Sequence, residues 1–442
     1  MKYKIAVASL GCAKNLVDTE NMLGFLAEKG HTFVSTPDTA DIIIVNTCSF
    51  IGDAKEESIN TILDMAQFKD EGSCKCLVVT GCLAERYHED IERELPEVDA
   101  IVGTGDFNKI CDVIDSCMRG KNVCLHGHSE DFTLEGMPRI ITTQPHSAYL
   151  KIAEGCDNKC TYCVIPSLRG KYRSRTIEDI CEEAKYLAGS GVREIILIAQ
   201  DTTCYGKDIY GKNSLDTLLE RLCEIDDIKW IRVHYCYPEG ITDELLDVMA
   251  SNDKILHYFD IPIQHASDSV LKRMGRKTDK ASLEKLIHKI REKMDDAIIR
   301  TSLIAGFPGE TREDFNELCD FVKKMRLDRV GVFAYSKEEN TPAAKLDKQI
   351  SERTKTSRRD KLMEISQTIS LEKNEARIGK VYEVLCEGFD EENCLYKGRS
   401  YADSIDVDSL VYFGANREVQ NGEFVNVRIL CAQEYDLIGE EI

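Results

Sequence analysis

The chain has no run of about eighteen apolar residues, which argues against a membrane-spanning helix. Its opening, MKYKIAVASLGC, lacks the apolar length of a secretory leader and is broken by Gly11, so no signal peptide is expected. Positive charge is also scarce: 57 Lys and Arg stand against 78 Asp and Glu, a formal net charge of −21. A field of that sign opposes nucleic acid unless a local basic patch overrides it, and it suits a basic partner. It fits ordinary solubility equally well, because net charge speaks to association and not to fold. These absences predict a cytoplasmic protein with no membrane partner, and 442 residues are enough for two or three domains with their own cores. In that compartment nineteen cysteines are not expected to form a disulfide framework, and most should be buried thiols that pack as small hydrophobes.

One tight run of cysteines also lacks something, namely a fourth member. Cys156, Cys160 and Cys163 lie within EGCDNKCTYCVIPSLRGKYRSR at C-x3-C-x2-C spacing. Ferredoxin-type runs supply four thiolates and close a [4Fe–4S] cluster for electron transfer. Three thiolates leave one iron open to a small molecule. Structural zinc asks for four ligands, and any one disulfide would strand the third cysteine. The run, with Tyr162 before its last cysteine, resembles the signature of the radical S-adenosylmethionine (SAM) enzymes. That resemblance implies SAM as the molecule on the open iron.

Residues 1–125 alternate short β-branched runs with amphipathic helical patterns. The strands are KIAVASL, DIIIVNT, CLVVTG and VDAIVG, and the pattern predicts a doubly wound parallel sheet. Residues 126–148, with Pro138 and Pro145 and no clean period, read as a linker. From 149 to about 335 six strand–helix units follow, which predicts a partial, open (β/α)6 TIM-like barrel with its site at the C-terminal strand ends. A charged helical connector carries this domain to residue 378. Residues 379–442 switch to short alternating strands, the pattern of a small antiparallel β-barrel.

Cys12, Cys48 and Cys82 each directly follow a strand of the first domain, in VASLGC, IVNTC and VVTGC. Loops at one edge of a parallel sheet converge, so these three distant cysteines should meet and hold a second cluster with an open iron. Cys74, Cys111, Cys117 and Cys124 lack that placement, and Cys76 opens the third strand at the opposite end. In the second domain the strand ends carry candidate SAM-binding groups: Gln200, Asp201 and Thr202, then Arg232 and His234, then Gln264 and His265, then Arg300 and Thr301. Gly306 and Gly309 of IAGFPGET would let the backbone approach an adenine closely. Each polar residue could equally satisfy a loop, and a buried Arg232 or Arg300 needs an anionic partner from protein or ligand.

The order of domains is similar to that of the methylthiotransferases: a three-cysteine N-terminal domain, a radical SAM barrel and a TRAM barrel. The resemblance covers essentially the whole chain. SLGCAKNLVDTE, HYCYPEGITDELLD, DIPIQHASDSVLKRMGR, IAGFPGET and GRSYADSIDVD resemble the branch that modifies an aspartate of a small-subunit ribosomal protein. Ala13 stands where that branch carries proline, and the segment after SYAD lacks the usual proline, differences that touch no ligand. The resemblance implies that Cys12, Cys48 and Cys82 bind an auxiliary [4Fe–4S] cluster, and Cys156, Cys160 and Cys163 the radical SAM cluster. It further implies two SAM molecules per product, one to methylate a sulfur held at the auxiliary site and one to make the radical that activates the aspartate β-carbon. A low-potential electron donor such as flavodoxin or ferredoxin, and a sulfur donor, follow as partners.

Two other readings compete. One is methylthiolation of an adenosine beside the tRNA anticodon, because TRAM barrels commonly bind RNA. From Ala376 to Ile442, however, the chain has six Lys or Arg against fourteen Asp or Glu, the wrong sign for phosphate. The acidic stretches Asp390-Glu391-Glu392 and Asp403 to Asp408 are expected to steer a basic ribosomal protein instead. The other is a non-catalytic iron–sulfur redox protein, which would not need a barrel with polar strand ends.

Overall fold

The computed structural model describes residues 2–127 and 134–442, so residues 128–133 of the expected linker lie outside it. The first sheet has six strands, all parallel, in the spatial order Thr32–Phe33, Lys4–Ser9, Ile42–Thr47, Cys76–Gly81, Ala100–Val102, Val123–Leu125. The two edge strands are too short to carry a period, which is why the sequence pattern showed only the inner four. Strands Ile42–Thr47 and Cys76–Gly81 are buried at every residue, as expected for a sheet covered on both faces. Cys76 and Cys117 are joined as a disulfide in this core, where the start of a strand meets the end of helix Ile110–Cys117, so these two are not free thiols.

The second sheet is open and again all parallel, six strands in simple sequence order from Ser147–Lys151 through Glu194–Ile198, Trp230–Val233, Ile255–Asp260 and Ile298–Ala305 to Arg329–Ala334. Alternation along these strands sorts their side chains. Ile231, Val233, Phe259, Ile299 and Leu303 face the surrounding helices in one large core. Trp230, Tyr258 and Ile298 point the other way, into the concave face, where they pack against Leu385 and Ala402 of the C-terminal barrel. The connector is helix Glu352–Glu375, which buries Leu362, Ile365 and Ile369 in the same large core and so belongs to this layer.

The C-terminal barrel closes from five strands, Val381–Asp390, Leu395–Ser400, Val411–Gly414, Leu437–Glu441 and Phe424–Ala432. Four of its pairings are antiparallel, and the fifth, between Val411–Gly414 and Leu437–Glu441, is parallel. Its segment 399–408 fills the concave face of the open sheet. Arg399 donates to Glu194 at 2.6 Å, and Arg232 donates to the Tyr401 carbonyl at 2.8 Å. Asp403 pairs with Arg329 at 2.7 Å, and the Asp408 carboxylate accepts from Tyr258 at 2.5 Å and lies 3.5 Å from Arg300. This corrects the expectation that Asp403 to Asp408 is a solvated steering surface. Arginines of the second domain neutralise Asp403 and Asp408, and only Asp406 of the three acids is exposed. Glu391 and Glu392, at the far tip of the barrel, are exposed as expected.

Candidate active site

The first sheet delivers its cysteines to one edge. Cys12 caps helix Ala13–Glu28, Cys48 follows strand Ile42–Thr47, and Cys82 opens helix Cys82–Glu94. Two glycines make the convergence possible. Gly11 has φ +89°, and a Cβ there would lie 2.8 Å from the Cys48 Cβ. Gly81 has φ +92°, and a Cβ there would lie 2.2 Å from the Asn46 side chain. Asn15 ties the loops together: its Nδ2 donates to the carbonyls of Leu10 and Thr47, at 3.1 and 2.8 Å, and its Oδ1 lies 3.7 Å from the Cys82 Sγ. Burial pushes the Cys82 thiol up to about 12 although Arg169 opposes it. For Cys12 desolvation of the sulfur also acts upward, but Lys14 and Arg169 together with the backbone amides of Asn15 and Lys14 outweigh it and hold the thiol below its ordinary value. Cys12 is the exposed member of the set, and Cys48 and Cys82 are buried.

The second set occupies the loop between strand Ala153–Glu154 and helix Ile165–Arg169. The loop is anchored by backbone bonds from Cys156 to Gly170 at 3.1 Å, from Thr161 to Met274 at 2.9 Å and from Cys163 to Cys160 at 3.2 Å. Tyr162 packs edge-on against Phe307, with ring centroids 6.4 Å apart. Burial raises the Cys156 and Cys163 thiols, to about 11 and about 12. Beside Cys160 lies a pocket of ≈ 280 Å³, bordered by Tyr237 and Arg276. Arg276 lies over the Tyr237 ring at 4.3 Å, with its Nη1 4.0 Å from the Cys160 Sγ.

The donors of each set, three thiols, fit a cubane cluster. Thiolates on one zinc lie about 2.3 Å from it and so within roughly 4.6 Å of one another. Among the described residues the group of metal-capable atoms that all lie within 4.8 Å is Cys76, Asp99 and Cys117, and neither three-cysteine set is drawn in that tightly. Each set offers three free thiols, the donor number that leaves one iron of a [4Fe–4S] cluster open.

A buried network locks the two sets together. Arg169, at the end of the second loop, reaches across the domain boundary. Its Nη1 donates to Asp18 at 2.8 Å and to Glu154 at 2.9 Å. Its Nη2 donates to Asn15 at 2.5 Å and lies 3.8 Å from the Cys82 Sγ. Lys151 pairs with the same two carboxylates, Asp18 and Glu154. On the opposite side Arg86 donates to Glu338 at 2.7 Å, and Lys55 donates to it at 3.0 Å.

The strand-end candidates separate into groups. Gln200 donates to Glu154 at 2.6 Å and keeps its Oε1 unpartnered among the described residues, and Asp201 accepts from Asn158 of the cysteine loop at 2.8 Å. These two adjoin the second set. Thr202 and Thr301 donate to the carbonyls of His234 and Ile261, at 2.8 and 2.7 Å, and so fix strand ends. Arg232 pairs with Glu194, Arg300 with Asp260, and His234 with Ser404 at 2.7 Å, all in the concave face beneath the C-terminal barrel. The anionic partners of both arginines are therefore protein carboxylates. Gln264, with φ +69°, bridges Ser302 and Ile304 through its backbone, and the His265 Nδ1 accepts from the Ser267 amide at 2.9 Å. Gly306 has φ +78°, and the side chain it could not accommodate a Cβ beside is Lys355, 2.4 Å away; Gly309 lies by Arg273. Asn15, Lys14, Glu154, Arg169, Tyr237 and Arg276 were missed. Several sit in the motif stretches themselves, but no spacing rule marks a partner across a domain boundary.

The chain matches known proteins along its whole length. Residues 4–103 match the uncharacterized protein family UPF0004, residues 150–322 the radical SAM superfamily and residues 378–442 the TRAM domain. The chain is 52% identical over 436 residues to the ribosomal protein uS12 methylthiotransferase RimO of Lachnoclostridium phytofermentans, covering 99% of both chains. It is 53% identical over 437 residues to the protein of the same name from Clostridioides difficile, covering 99% of this chain and 98% of the other. Among solved structures, the radical SAM methyltransferase TsrM from Kitasatospora setae, with cobalamin and a [4Fe–4S] cluster bound, aligns with a TM-score of 0.56 at 13% identity, over 87% of this chain and 81% of that one. At that identity the likeness speaks for the fold alone.

Proposed function

The chain belongs to the RimO family of ribosomal protein uS12 methylthiotransferases, and from that premise we propose that it places a methylthio group on the β-carbon of an aspartate of uS12. The observation that carries this reading is the pairing of two three-cysteine sets in separate domains, joined through Arg169. Cys156, Cys160 and Cys163 would hold the radical SAM cluster, and Cys12, Cys48 and Cys82 the auxiliary one. When bound, these groups supply an electron for SAM cleavage and a site for the sulfur that is transferred.

The chain's own residues do the rest. Asn15, Arg169 and the Asp18–Glu154–Lys151 network fix the two loops at one separation, so that both sets act on one substrate. Gln200 and Asp201 border the second set and offer polar contacts to SAM. The C-terminal segment 399–408 closes the concave face, which keeps water from the space above it. The exposed acids of the barrel, Glu391, Glu392, Glu418 and Glu434, present the sign that attracts a basic ribosomal protein and repels RNA. Among the described residues no helix is long and apolar enough to cross a membrane. We place the protein in the cytoplasm with its ribosomal substrate, a low-potential electron donor such as flavodoxin or ferredoxin, and a sulfur donor.

Mass spectrometry of uS12 from a strain lacking this chain tests the reading. Loss of one methylthio group from an aspartate is expected. An unchanged uS12 together with loss of a methylthio group from tRNA would favour the RNA reading.

A further inference from the structure

We infer that Lys14 binds the side-chain carboxylate of the substrate aspartate, an inference that rests on the function proposed above. Lys14 is only 7% exposed, two residues beyond Cys12 in the first turn of helix Ala13–Glu28. A buried ammonium normally has a carboxylate beside it, because desolvating a lone charge is costly. The neighbouring cations obey this rule. Lys151 and Arg169 share Asp18 and Glu154, Arg232 has Glu194, and Arg300 has Asp260. Among the described residues Lys14 has no carboxylate partner, and the acidic groups that face it are the Tyr235 hydroxyl and the Cys12 thiol. Its Nζ lies 3.2 Å over the ring of Tyr235, and a ring face offsets only part of the lost hydration.

Its surroundings come from several elements. Tyr235 follows strand Trp230–Val233 with φ +59°, a left-handed conformation that is uncommon for a tyrosine. Its amide donates to Asp260 at 3.0 Å, which holds the ring over Lys14. Ala13, Leu16, Tyr149, Ile196, Ile198 and Ile405 pack around the same spot, so all three domains meet at Lys14. Cys12, the exposed member of its set, caps the same turn of the helix. Arg276 is the other buried cation near a cysteine set that lacks a carboxylate among the described residues, and it stands at Cys160, by the SAM loop.

A substrate carboxylate taken out of water needs a cation or hydrogen-bond donors beside it. Lys14 supplies one at the auxiliary set. Holding the carboxylate there places the adjacent β-carbon one bond away, next to the sulfur-bearing site. An ammonium is a point charge with three donors, so it takes either carboxylate oxygen and separates aspartate from asparagine by charge.

The test is equilibrium binding of purified uS12 to the cluster-reconstituted full chain, without reductant. The probe is uS12 with its target aspartate intact or changed to asparagine. Wild-type enzyme should bind the asparagine form about tenfold more weakly or worse, the scale of one charged hydrogen bond. Lys14→Met should lose about the same factor for the aspartate form and change less than twofold for the asparagine form. Lys14→Arg should recover part of the loss. Lys14→Met with its full iron content that binds the aspartate form as tightly as wild type overturns the inference, as does equal loss for both forms. If Lys14→Met does not retain iron, the wild-type pair decides: absence of any preference for aspartate overturns it. A wild-type enzyme that cleaves SAM but neither binds nor modifies uS12 sinks the proposed function itself. Normal modification of uS12 with no role for Lys14 sinks only this assignment.

Discussion

The two cysteine sets do the same structural task by opposite routes. Cys156, Cys160 and Cys163 lie within eight residues, so a single loop and its backbone bonds bring them together. Cys12, Cys48 and Cys82 are spread over seventy residues and meet only because three parallel strands end at one edge. The local set needs the loop, whereas the dispersed set needs the whole first sheet, Gly11 and Gly81 included. The electrostatics differ at one position: burial raises Cys48 and Cys82 as it raises Cys156 and Cys163, but at Cys12 the upward pull of burial is outweighed and the thiol is held below its ordinary value. A local site should therefore tolerate damage to its domain better than a dispersed one.

The sharpest way to separate the two sets is to remove one ligand from each. Cys160→Ala should abolish 5′-deoxyadenosine formation, measured by chromatography. Cys48→Ala should keep some 5′-deoxyadenosine but yield no methylthiolated uS12. Methylthiolated product from Cys48→Ala at the wild-type level contradicts the assignment of the dispersed set.

The lock between the sets comes next. Arg169→Met leaves Asp18 and Glu154 short of a buried partner, and breaking such a pair typically costs about 3–5 kcal/mol. Denaturant unfolding should show that loss, with Arg169→Lys intermediate. A change of under about 1 kcal/mol, the scale of a surface pair, would show that Lys151 alone holds the network.

These residues mark how far the sequence could be read. The parallel sheets, the open barrel and the convergence of each three-cysteine set follow from hydrophobic period and from where cysteines fall relative to strand ends. The acidic stretch Asp403 to Asp408 was misjudged because local composition cannot show Arg300 and Arg329, which lie far off in sequence and neutralise it. Arg232 and Arg300 were rightly expected to need anions, but only the fold shows that Glu194 and Asp260 provide them. The edge strands were invisible because two or three residues carry no period.

Smaller effects are expected at the C-terminal barrel, which separates neither set directly. Changing Glu391, Glu392, Glu418 and Glu434 to Lys should weaken uS12 modification several-fold at low salt, and less at high salt. Stronger modification of uS12 by the reversed barrel would contradict the steering role. Acid should loosen the same interface. Burial opposes the Glu194 carboxylate, but Arg399 and Arg232 hold it down at about 2. Its contribution is present above the ordinary glutamate value of about 4.3 and is lost as pH falls towards 2. Burial also lowers His234, to about 3, so its contribution declines as pH falls from about 6.5 towards 3. Thermal unfolding between pH 7 and 3 should show this decline, and Glu194→Gln should flatten its lower part.

Iron content tests the central claim, that two independent sites exist, most directly. Anaerobically reconstituted wild-type chain should hold about eight irons, four per cubane. The Cys156, Cys160, Cys163→Ala variant and the Cys12, Cys48, Cys82→Ala variant should each hold about half of that. Loss of all iron, or of none, in either variant would contradict two separate clusters.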